Sequence, residues 1–384
     1  MTNKKAYIIA TGLCLITLAL ATNSCKKDAD FVPTGCDHTN PTEDCGTPTP
    51  YNLEVPFRFP QPAPNPNNPL TVEGIELGRK LFYETKLSAN NTQSCASCHA
   101  QTFSFTDNGL KFSLGIDGIP GKRNSMAIVN LAWAKDLFWD GRSKTLEEQA
   151  FLPVIDEIEM HNTWQNAVAT LQADPEYPDL FCKAFGTKTI DSVLVVKAIA
   201  QFERTLISAN SKFDRVLRGE DVFTPQESAG LNLFNTDRDF NNNIMGADCF
   251  HCHGGIDPMT GFGNVLFHDN QFHNNGLDNT PFQDSGLYHY TKNPADIGKF
   301  KTTTLRNLVF TAPYMHDGRF ATIDEVIDFY SSGLKNSPTI DPLMKNVGFG
   351  GVQLGPTEKA NLKAFLLTLT DSSFIQNPAF SDPN

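Results

Sequence analysis

Two copies of one five-residue motif decide the fold of this chain: Cys95-Ala96-Ser97-Cys98-His99 and Cys249-Phe250-His251-Cys252-His253. In each copy, two thiols are spaced to form thioether bonds to one haem, and the adjacent histidine lies beneath the iron as its proximal ligand. A zinc ribbon would place its cysteine pairs only about 15–20 residues apart, and these pairs lie much further apart. The motifs therefore predict two covalent c-type haems, with His99 and His253 as proximal ligands.

Each motif follows a similar helical segment. Leu77-Gly78-Arg79-Lys80-Leu81-Phe82 precedes the first motif and Gly230-Leu231-Asn232-Leu233-Phe234 precedes the second, so the chain carries a degenerate internal repeat. Apolar residues at three- and four-residue steps predict further helices over Val193–Ile207, Thr322–Tyr330 and Thr357–Thr368. We find no run of alternating strands. The predicted fold is mainly α, with long loops and two cytochrome c-like domains that each carry one haem.

The first residues have the pattern of an export signal. Two lysines precede an apolar run from Ala6 to Ala21, which is shorter than the ~20 residues needed to cross a bilayer. Cys25 follows this run and resembles the lipid-modified cysteine of bacterial lipoproteins. We therefore expect residues 1–24 to be a lipoprotein signal peptide. Lipid on Cys25 would anchor the protein in the periplasm, with the outer membrane as the expected site.

The rest of the chain is divided by composition and by the repeat. We predict a Pro/Asn-rich tether over residues 25–70, an N-terminal haem domain over 71–215 and a C-terminal haem domain over 216–384. The tether has too few apolar side chains to fold and should stay extended. Within it Cys36 and Cys45 could pair in an oxidising compartment, which would leave Cys182 as a buried thiol.

Composition and charge restrict the class of partner. The chain has 384 residues, of which 40% are hydrophobic, and a formal net charge of -12. This composition is sufficient for a buried core, and the length allows two domains. An acidic surface argues against nucleic acid, since that binding depends on Lys and Arg to neutralise phosphates. It favours transient docking to a cationic protein, which long-range charge would steer.

Several further motifs are specific when taken together. They are Leu77-Gly78 to His99, Lys122-Arg123-Asn124-Ser125, Phe138-Trp139-Asp140-Gly141-Arg142, Leu146-Glu147-Glu148-Gln149-Ala150 with Glu159-Met160, Thr304-Leu305-Arg306-Asn307, and Thr311-Ala312-Pro313-Tyr314-Met315-His316-Asp317-Gly318. With this combination the chain resembles the bacterial dihaem cytochrome c peroxidase / MauG family over about residues 71–370. The resemblance implies two haem c groups and a calcium ion.

The resemblance also implies roles for single residues. The first haem, on His99, would be the peroxidatic one, and the second, on His253, would transfer electrons. Trp139 matches the tryptophan that lies between the haems, and Gln149 and Glu159 match the pair that lines the peroxide side of the first haem. A carboxylate there can take a proton from the inner peroxide oxygen and give it to the outer one, so that water leaves.

The calcium ion would lie at the domain boundary. Asn124, Thr311 and Pro313 match the residues that hold it in the family, and their oxygen atoms are the hard ligands that calcium prefers. Among the remaining histidines, His316 is the best candidate to support a haem ligand. The others are expected at the surface or in hydrogen-bonded loops: His161, His251, His268, His273 and His289.

The chain departs from the family at two positions. Many members have a loop histidine that binds the resting first haem and moves away on activation, and counting back from Asn124 places Ile116 there. Isoleucine cannot bind iron, so the first haem should be open at rest. Most members also have an axial methionine on the second haem, and counting from His316 places Tyr330 there, as in MauG. The alternative is that Tyr330 packs in the core and a sulfur such as Met315 or Met344 binds the iron.

Three functions remain open at this stage. The leading one is a peroxidase that reduces hydrogen peroxide with electrons from a small cytochrome c or copper protein. The second is a MauG-like oxidase that modifies a protein substrate, and an anionic tyrosinate on the second haem would favour it by lowering the potential. The third is a dihaem electron carrier without catalysis. A homodimer is also left open, and contact with the membrane is expected only through the lipid anchor.

Overall fold

The computed structural model describes residues 44–255 and 263–383, and within them helices dominate. The helices are α1 (Val72–Tyr83), α2 (Cys95–Cys98), α3 (Leu146–Ile155), α4 (Trp164–Ala173), α5 (Tyr177–Phe185), α6 (Ser192–Thr205), α7 (Lys212–Leu217), α8 (Pro225–Phe234), α9 (Phe250–His253), α10 (Tyr288–Thr291), α11 (Ile323–Ser332), α12 (Pro356–Leu367) and α13 (Ser372–Ile375). Over these residues the one sheet is an antiparallel pair, β1 (Phe272–His273) with β2 (Phe300–Lys301). The predicted mainly α fold with long loops is confirmed.

Helix α1 organises the first half of the molecule. Its N-terminus is capped by Thr71, whose side chain accepts a hydrogen bond from the Gly74 amide. It packs on α6, where a Cβ on Gly78 would lie 1.9 Å from the carbonyl oxygen of Ala198. Only glycine permits this close crossing, which buries Leu81 and Phe82 completely. The predicted helix over Val193–Ile207 is α6, which begins one residue earlier and ends two residues earlier.

The second half repeats this crossing with α8 and α12. A Cβ on Gly230 of α8 would lie 2.0 Å from the carbonyl oxygen of Asn361 on α12. The repeat seen in the sequence is therefore also a repeat in packing. Helix α11 is capped by Thr322, whose side chain accepts from the Glu325 amide, as the pattern predicts. Helix α12 begins at Pro356 with Gly355 as its N-cap, because a proline at the first position needs no amide partner.

Two large buried clusters and a small third one form the core of the described residues, and the two large clusters each combine segments that are distant in the chain. Phe374 and Phe380, near the C-terminal end, pack into the first cluster with α1 and α6. Phe59 and Trp133, from the N-terminal half, pack into the second cluster with α8 and α12. Segments from each end of the chain thus complete the core of the opposite half. The boundary between residues 215 and 216 stays a prediction.

The segment over residues 44–70 is irregular, yet it is bound to the helical body. Phe59 is buried, and the Trp133 Nε1 donates to the carbonyl oxygen of Pro60 at 2.6 Å. Asn68 is also buried, and its Nδ2 donates to the Glu147 carboxylate at 2.7 Å. This part of the predicted tether is therefore not free. Its low apolar content does not leave it free, because its polar groups find hydrogen-bond partners on the helical body.

The cysteine assignment requires a correction. Cys45 forms a disulfide with Cys182, with their Cα atoms 4.9 Å apart, so Cys182 is not a free thiol and Cys45 does not pair with Cys36. Proximity in sequence suggested the wrong partner, because docking of residues 44–70 brings Cys45 to α5. Cys25, Cys36 and the predicted signal peptide lie outside the described residues. In the described part of the chain, no helix is both long and apolar enough to span a membrane.

Candidate haem and peroxide sites

The histidine of the first haem motif is oriented as a metal ligand. Cys95 and Cys98 lie at the two ends of α2, and both are free thiols. His99 Nδ1 donates to the carbonyl oxygen of Phe105 at 2.8 Å, which fixes the tautomer and leaves Nε2 for iron. Burial lowers the pKa of His99 and so keeps the imidazole neutral. These residues fit a covalent haem.

The second motif repeats the arrangement. Cys249 and Cys252 are free thiols around α9. His253 Nδ1 donates to the carbonyl oxygen of Phe267 at 3.1 Å, and burial lowers the pKa of His253. The donor set again suits a covalent haem, with Nε2 available to the iron.

The two phenylalanines that orient these histidines share an unusual backbone. Phe105 has φ 59° and Phe267 has φ 56°, and both side chains are buried. A bulky residue in the left-handed region is strained, and such strain persists only where surrounding packing over-determines it. The strained turn directs each carbonyl oxygen towards its histidine. This shared feature is a second structural mark of the repeat.

A cavity of about 880 Å³ adjoins the first motif and brings the expected peroxide residues together. Cys98 and His99 line it, as do Gln149 from α3 and Glu159 from the turn after α3. The volume lies within the range of cofactor-sized sites, about 300–1,000 Å³. Residues far apart in sequence thus meet around one space that the proximal histidine also faces.

Glu159 has the electrostatics of a proton-transfer group. Its side chain is exposed towards the cavity, but protein encloses it on the other sides. Burial raises the pKa of Glu159 to about 7, the nearby Asp156 charge adds to the rise, and Arg142 opposes it. A carboxyl with a pKa near neutrality can both accept and return a proton at ordinary pH.

The loop that holds Ile116 is fastened to the Glu159 turn. The Ile116 amide donates to the Glu159 carbonyl oxygen at 3.0 Å. A Cβ on Gly115 would lie 1.6 Å from the Ile158 carbonyl oxygen, so the two segments are in direct backbone contact. His161 lies on the outer side, where its Nδ1 is 2.6 Å from the Asp117 carboxylate. Leu114 and Gly115 line the cavity, whereas Ile116 and His161 do not.

Trp139 and His316 lie between the first and second cavities and line both. Their ring centroids are 6.4 Å apart, and the Trp139 Nε1 donates to the Asn124 carbonyl oxygen at 2.8 Å. His316 stacks on Phe300 at 3.6 Å, and burial lowers its pKa to about 4, so it is neutral. Trp139 thus lies between the two cavities, as one member of an aromatic pair that hydrogen bonding and stacking hold in place.

The second cavity, of about 220 Å³, contains Cys249, Cys252 and His253. Tyr330 from α11 lines the same space, and so do both sulfurs that could replace it, Met315 and Met344. Burial raises the pKa of Tyr330 above its ordinary value, and a hydrogen bond from Asn275 acts in the opposite direction. All three candidate ligands are therefore brought to the cavity that His253 lines.

The three residues expected to hold calcium also meet. Asn124, Thr311 and Pro313 line a third cavity of about 100 Å³. The Asn124 Nδ2 donates to the carbonyl oxygens of Leu110 and Lys111, so its Oδ1 is the oxygen left for a cation. No carboxylate is among the described residues that line this space. A cation here would be held by neutral oxygens alone.

Sequence reasoning missed two residues around these cavities. Lys301 lines all three and is buried, and its Nζ donates to the carbonyl oxygens of Lys135 and Asp136. Burial lowers the pKa of Lys301 to about 8. Asn275 contacts two of the three candidate ligands of the second cavity, Tyr330 and Met315. Neither residue belongs to a short motif, so no local signal marked them.

Of the other histidines, His251 in α9 and His289 in α10 each face an aspartate. His251 lines the second cavity and His289 lines the first. His273 is held between Asp269 and Asp341 at 2.7 and 2.6 Å, so it is hydrogen-bonded as expected, but it lies in β1 rather than in a loop. His268 differs from this expectation, because it is buried and its Nδ1 has no partner among the described residues.

The two haem motifs, their oriented histidines and the cavity between His99 and Glu159 define an oxidoreductase of the dihaem c type. Residues 72–222 match the family model of di-haem cytochrome c peroxidase. The chain is 34% identical over 320 residues to the methylamine utilization protein MauG of Methylorubrum extorquens, covering 83% of this chain and 84% of that protein. It belongs to the bacterial di-haem cytochrome c peroxidase / MauG family, whose members carry two c-type haems.

Two further relatives represent the peroxidase side and the fold. The cytochrome c551 peroxidase of Pseudomonas aeruginosa is 33% identical over 305 residues, which cover 79% of this chain and 80% of that protein. A crystal structure described as a MauG-like protein associated with microbial copper homeostasis matches with a TM-score of 0.76 and 35% identity. That match covers 87% of this chain and 99% of the other.

Proposed function

We propose that this protein reduces hydrogen peroxide to water with electrons from a small periplasmic redox protein, either a cytochrome c or a copper protein. The observation that carries the proposal is the placement of Glu159, with its pKa raised to about 7, in the cavity that His99 lines. A dihaem protein that only carries electrons has no need of a proton-transfer residue beside an open cavity. The likeness to peroxidases supports the same activity.

The chain's residues would divide the work on peroxide. Cys95, Cys98 and His99 would hold the first haem, which when bound supplies an iron for O–O bond cleavage. The Glu159 carboxylate accepts a proton from one peroxide oxygen and returns it to the other, so that water can leave. Gln149 supplies an amide that can hydrogen-bond to the substrate in the same cavity.

Electrons would enter through the half that holds Cys249, Cys252 and His253. Trp139 and His316 occupy the space between the two cavities, and their polarizable rings offer a path for an electron. The net charge of -12 favours a donor with a basic docking face. We further propose that these two halves are the haem domains over residues 71–215 and 216–384.

We propose that Tyr330, together with His253, would hold the iron of the second haem. Its hydroxyl lies in the second cavity and is held by Asn275 at 2.9 Å. An anionic oxygen ligand would lower the potential of this site, whereas a methionine would raise it. Tyr330→Met is therefore expected to change the absorption spectrum and raise the midpoint potential. An unchanged spectrum and potential would remove Tyr330 from the ligand set.

A second candidate function follows from the same residue. A low potential at the second site weakens electron uptake from a high-potential donor, and this favours a MauG-like oxidase that modifies a protein substrate. The likeness to MauG supports this candidate. The third possibility, an electron carrier without catalysis, predicts a low-spin, six-coordinate spectrum at both sites.

One experiment separates these functions. Steady-state peroxide reduction is measured with several reduced cytochromes and copper proteins, beside a spectrum of the resting holoprotein. We expect turnover with at least one donor, and its loss in His99→Gly with both haems still attached through their thioethers. Wild-type turnover in His99→Gly would overturn the assignment of the first haem. Absence of turnover with every donor would favour the oxidase or the carrier.

Two further expectations belong to the proposal. Calcium would bind Asn124, Thr311 and Pro313 at the third cavity. Lipid on Cys25 would anchor the protein in the periplasm, with the outer membrane as the expected site.

A further inference from the structure

Asn275 contacts two of the three candidate ligands of the second cavity. Its Nδ2 is 2.9 Å from the Tyr330 hydroxyl oxygen and 3.9 Å from the Met315 sulfur. The residue is half-buried and lines the same cavity as His253. One amide group therefore faces both an oxygen and a sulfur that could bind the iron.

The backbone on either side of Asn275 is tightly held. The Asn274 Nδ2 donates to the hydroxyls of Ser337 and Thr339, both at 3.0 Å. The Gly276 amide donates to the Asn274 Oδ1 at 3.1 Å, and its carbonyl oxygen accepts from the Lys335 amide at 2.8 Å. Gly276 has φ 76° and lies against the Lys335 backbone, which disfavours a side chain there. These bonds fix where the Asn275 amide points.

The Asn275 amide stabilises the Tyr330 oxygen more than it stabilises the Met315 sulfur. A phenol oxygen is a good hydrogen-bond acceptor, whereas a thioether sulfur is a weak one. The bond at 2.9 Å is a normal one, and the contact at 3.9 Å is weak. A bond to the hydroxyl oxygen occupies one lone pair and leaves another for a metal. The amide thus favours the oxygen over the sulfur as a ligand.

The apolar surroundings make this donor important. Ile323, Ile327 and Leu362 line the cavity, beside charged residues such as Lys301 and Asp248. Against the apolar side chains, an oxygen with negative charge is costly unless a donor stabilises it. A neutral sulfur carries no such cost in the same place. Without the amide, the balance between oxygen and sulfur should therefore shift towards sulfur.

We propose that Asn275 is a positioning residue that selects Tyr330 over Met315 as the residue that, together with His253, would hold the iron of the second site. This inference rests on the proposed Tyr330 ligation. Asn275 does not touch peroxide. It acts by holding the hydroxyl oxygen in the cavity, and through it Asn275 sets the potential of the second site.

The test compares ligand spectra and potentials of four holoproteins: wild type, Asn275→Leu, Asn275→Asp and Tyr330→Phe. Leucine and aspartate have nearly the shape of asparagine, but neither donates the hydrogen bond. Electron paramagnetic resonance and near-infrared absorption report whether oxygen or sulfur binds the second iron, independently of turnover. We expect both Asn275 variants to gain a sulfur-ligand signature and a higher midpoint potential.

Two double variants then identify the sulfur. Met315→Leu in the Asn275→Leu background should abolish the new signature. Met344→Leu in that background should leave it, because the Asn275 Nδ2 lies 3.9 Å from the Met315 sulfur and, among the described residues, no hydrogen bond joins Asn275 to Met344. Persistence of the signature without Met315 would overturn the choice of sulfur.

The outcomes separate this inference from the proposed function. Wild-type spectra and potentials in both Asn275 variants, with an altered spectrum in Tyr330→Phe, would overturn the role of Asn275 and leave Tyr330 as the ligand. An unaltered spectrum in Tyr330→Phe would overturn the ligation itself. If Asn275→Leu fails to fold, Asn275→Asp decides, because its charge also opposes an anionic oxygen.

Discussion

At the scale of single residues, the carboxyl of Glu159 shows how surroundings create chemistry. Its neighbour Glu157 is also exposed and lies in the same turn, but only Glu159 lines the cavity near His99. Enclosure by protein raises the pKa of Glu159 to about 7. An ordinary glutamate, with a pKa of about 4.3, would hold a returned proton far less well.

We expect Glu159→Gln to retain both haems and to slow the peroxide step by about 10²–10⁴-fold, the usual contribution of a general acid–base group. Stopped-flow mixing with peroxide measures that step directly. Glu157→Gln is the matched control and should react at the wild-type rate. A Glu159→Gln rate within twofold of wild type would exclude this carboxyl from the mechanism.

The pH dependence follows from the same pKa. The base must be ionised to accept a proton, so the fraction in the active form grows as pH rises through about 7 and falls below it. We expect the rate of the peroxide step in the wild type to rise with pH through about 7, and the rate in Glu159→Gln to lack this rise. A rise with the same midpoint in the variant would mean that another group causes the pH dependence.

At the scale of elements, the loop around Ile116 determines whether the first haem site is open in the resting protein. Its backbone is fastened to the Glu159 turn through the Ile116 amide and the close approach of Gly115 to Ile158. The position expected for a displaceable histidine carries a side chain that cannot bind iron. The loop is therefore built as a fixed wall of the cavity, because moving it would break contacts with Glu159.

We expect the oxidised first haem to be high-spin and five-coordinate, and the enzyme to be active without prior reduction. Electron paramagnetic resonance of the resting protein and assays with and without pre-reduction measure this. His161 follows Glu159 closely in sequence and is the alternative loop histidine that could bind the first haem. It faces Asp117 outside the cavity, so His161→Gln should leave the resting spectrum and the activity unchanged. A bis-histidine spectrum at rest would contradict the expectation.

At the scale of the whole molecule, the disulfide ties the irregular N-terminal segment to the helical body. Cys45 and Cys182 are 137 positions apart, and closing so long a loop restricts the unfolded chain considerably. We expect Cys182→Ser to lower the free energy of unfolding by about 2–4 kcal/mol, measured by denaturant titration. Cys36→Ser is the control and should leave stability unchanged. The reverse result would restore the Cys36–Cys45 pairing.

The proposed calcium would join distant parts of the chain, since Asn124 comes from the first half and Thr311 and Pro313 from the second. Chelation is expected to lower the melting temperature. Added calcium should restore it, whereas magnesium should not, because magnesium demands a smaller and more regular ligand shell. Metal analysis that finds no calcium, with no change on chelation, would contradict the proposal.

Local patterns in the sequence were sufficient for the haem motifs, the helices and the repeat. Cys-x-x-Cys-His is a short-range arrangement, and helix periodicity reflects contacts three or four residues apart. The cap at Thr322 and the apolar face of α6 follow from such contacts. Resemblance then named Glu159, Gln149, Trp139 and Tyr330 as candidates, and the structure brings them to the two cavities.

The tertiary structure alone decided the partner of Cys45, the docking of residues 44–70 and the place of Asn275. Each depends on which distant segments meet, and no periodic or local signal marks such meetings. Cys45 finds Cys182 because polar contacts such as Asn68 with Glu147 hold the segment against the body. Asn275 meets Tyr330 because bonds from Asn274 fix its loop. Long-range contacts form only when packing repays the entropy of closing the loop between them, and that balance belongs to the folded molecule.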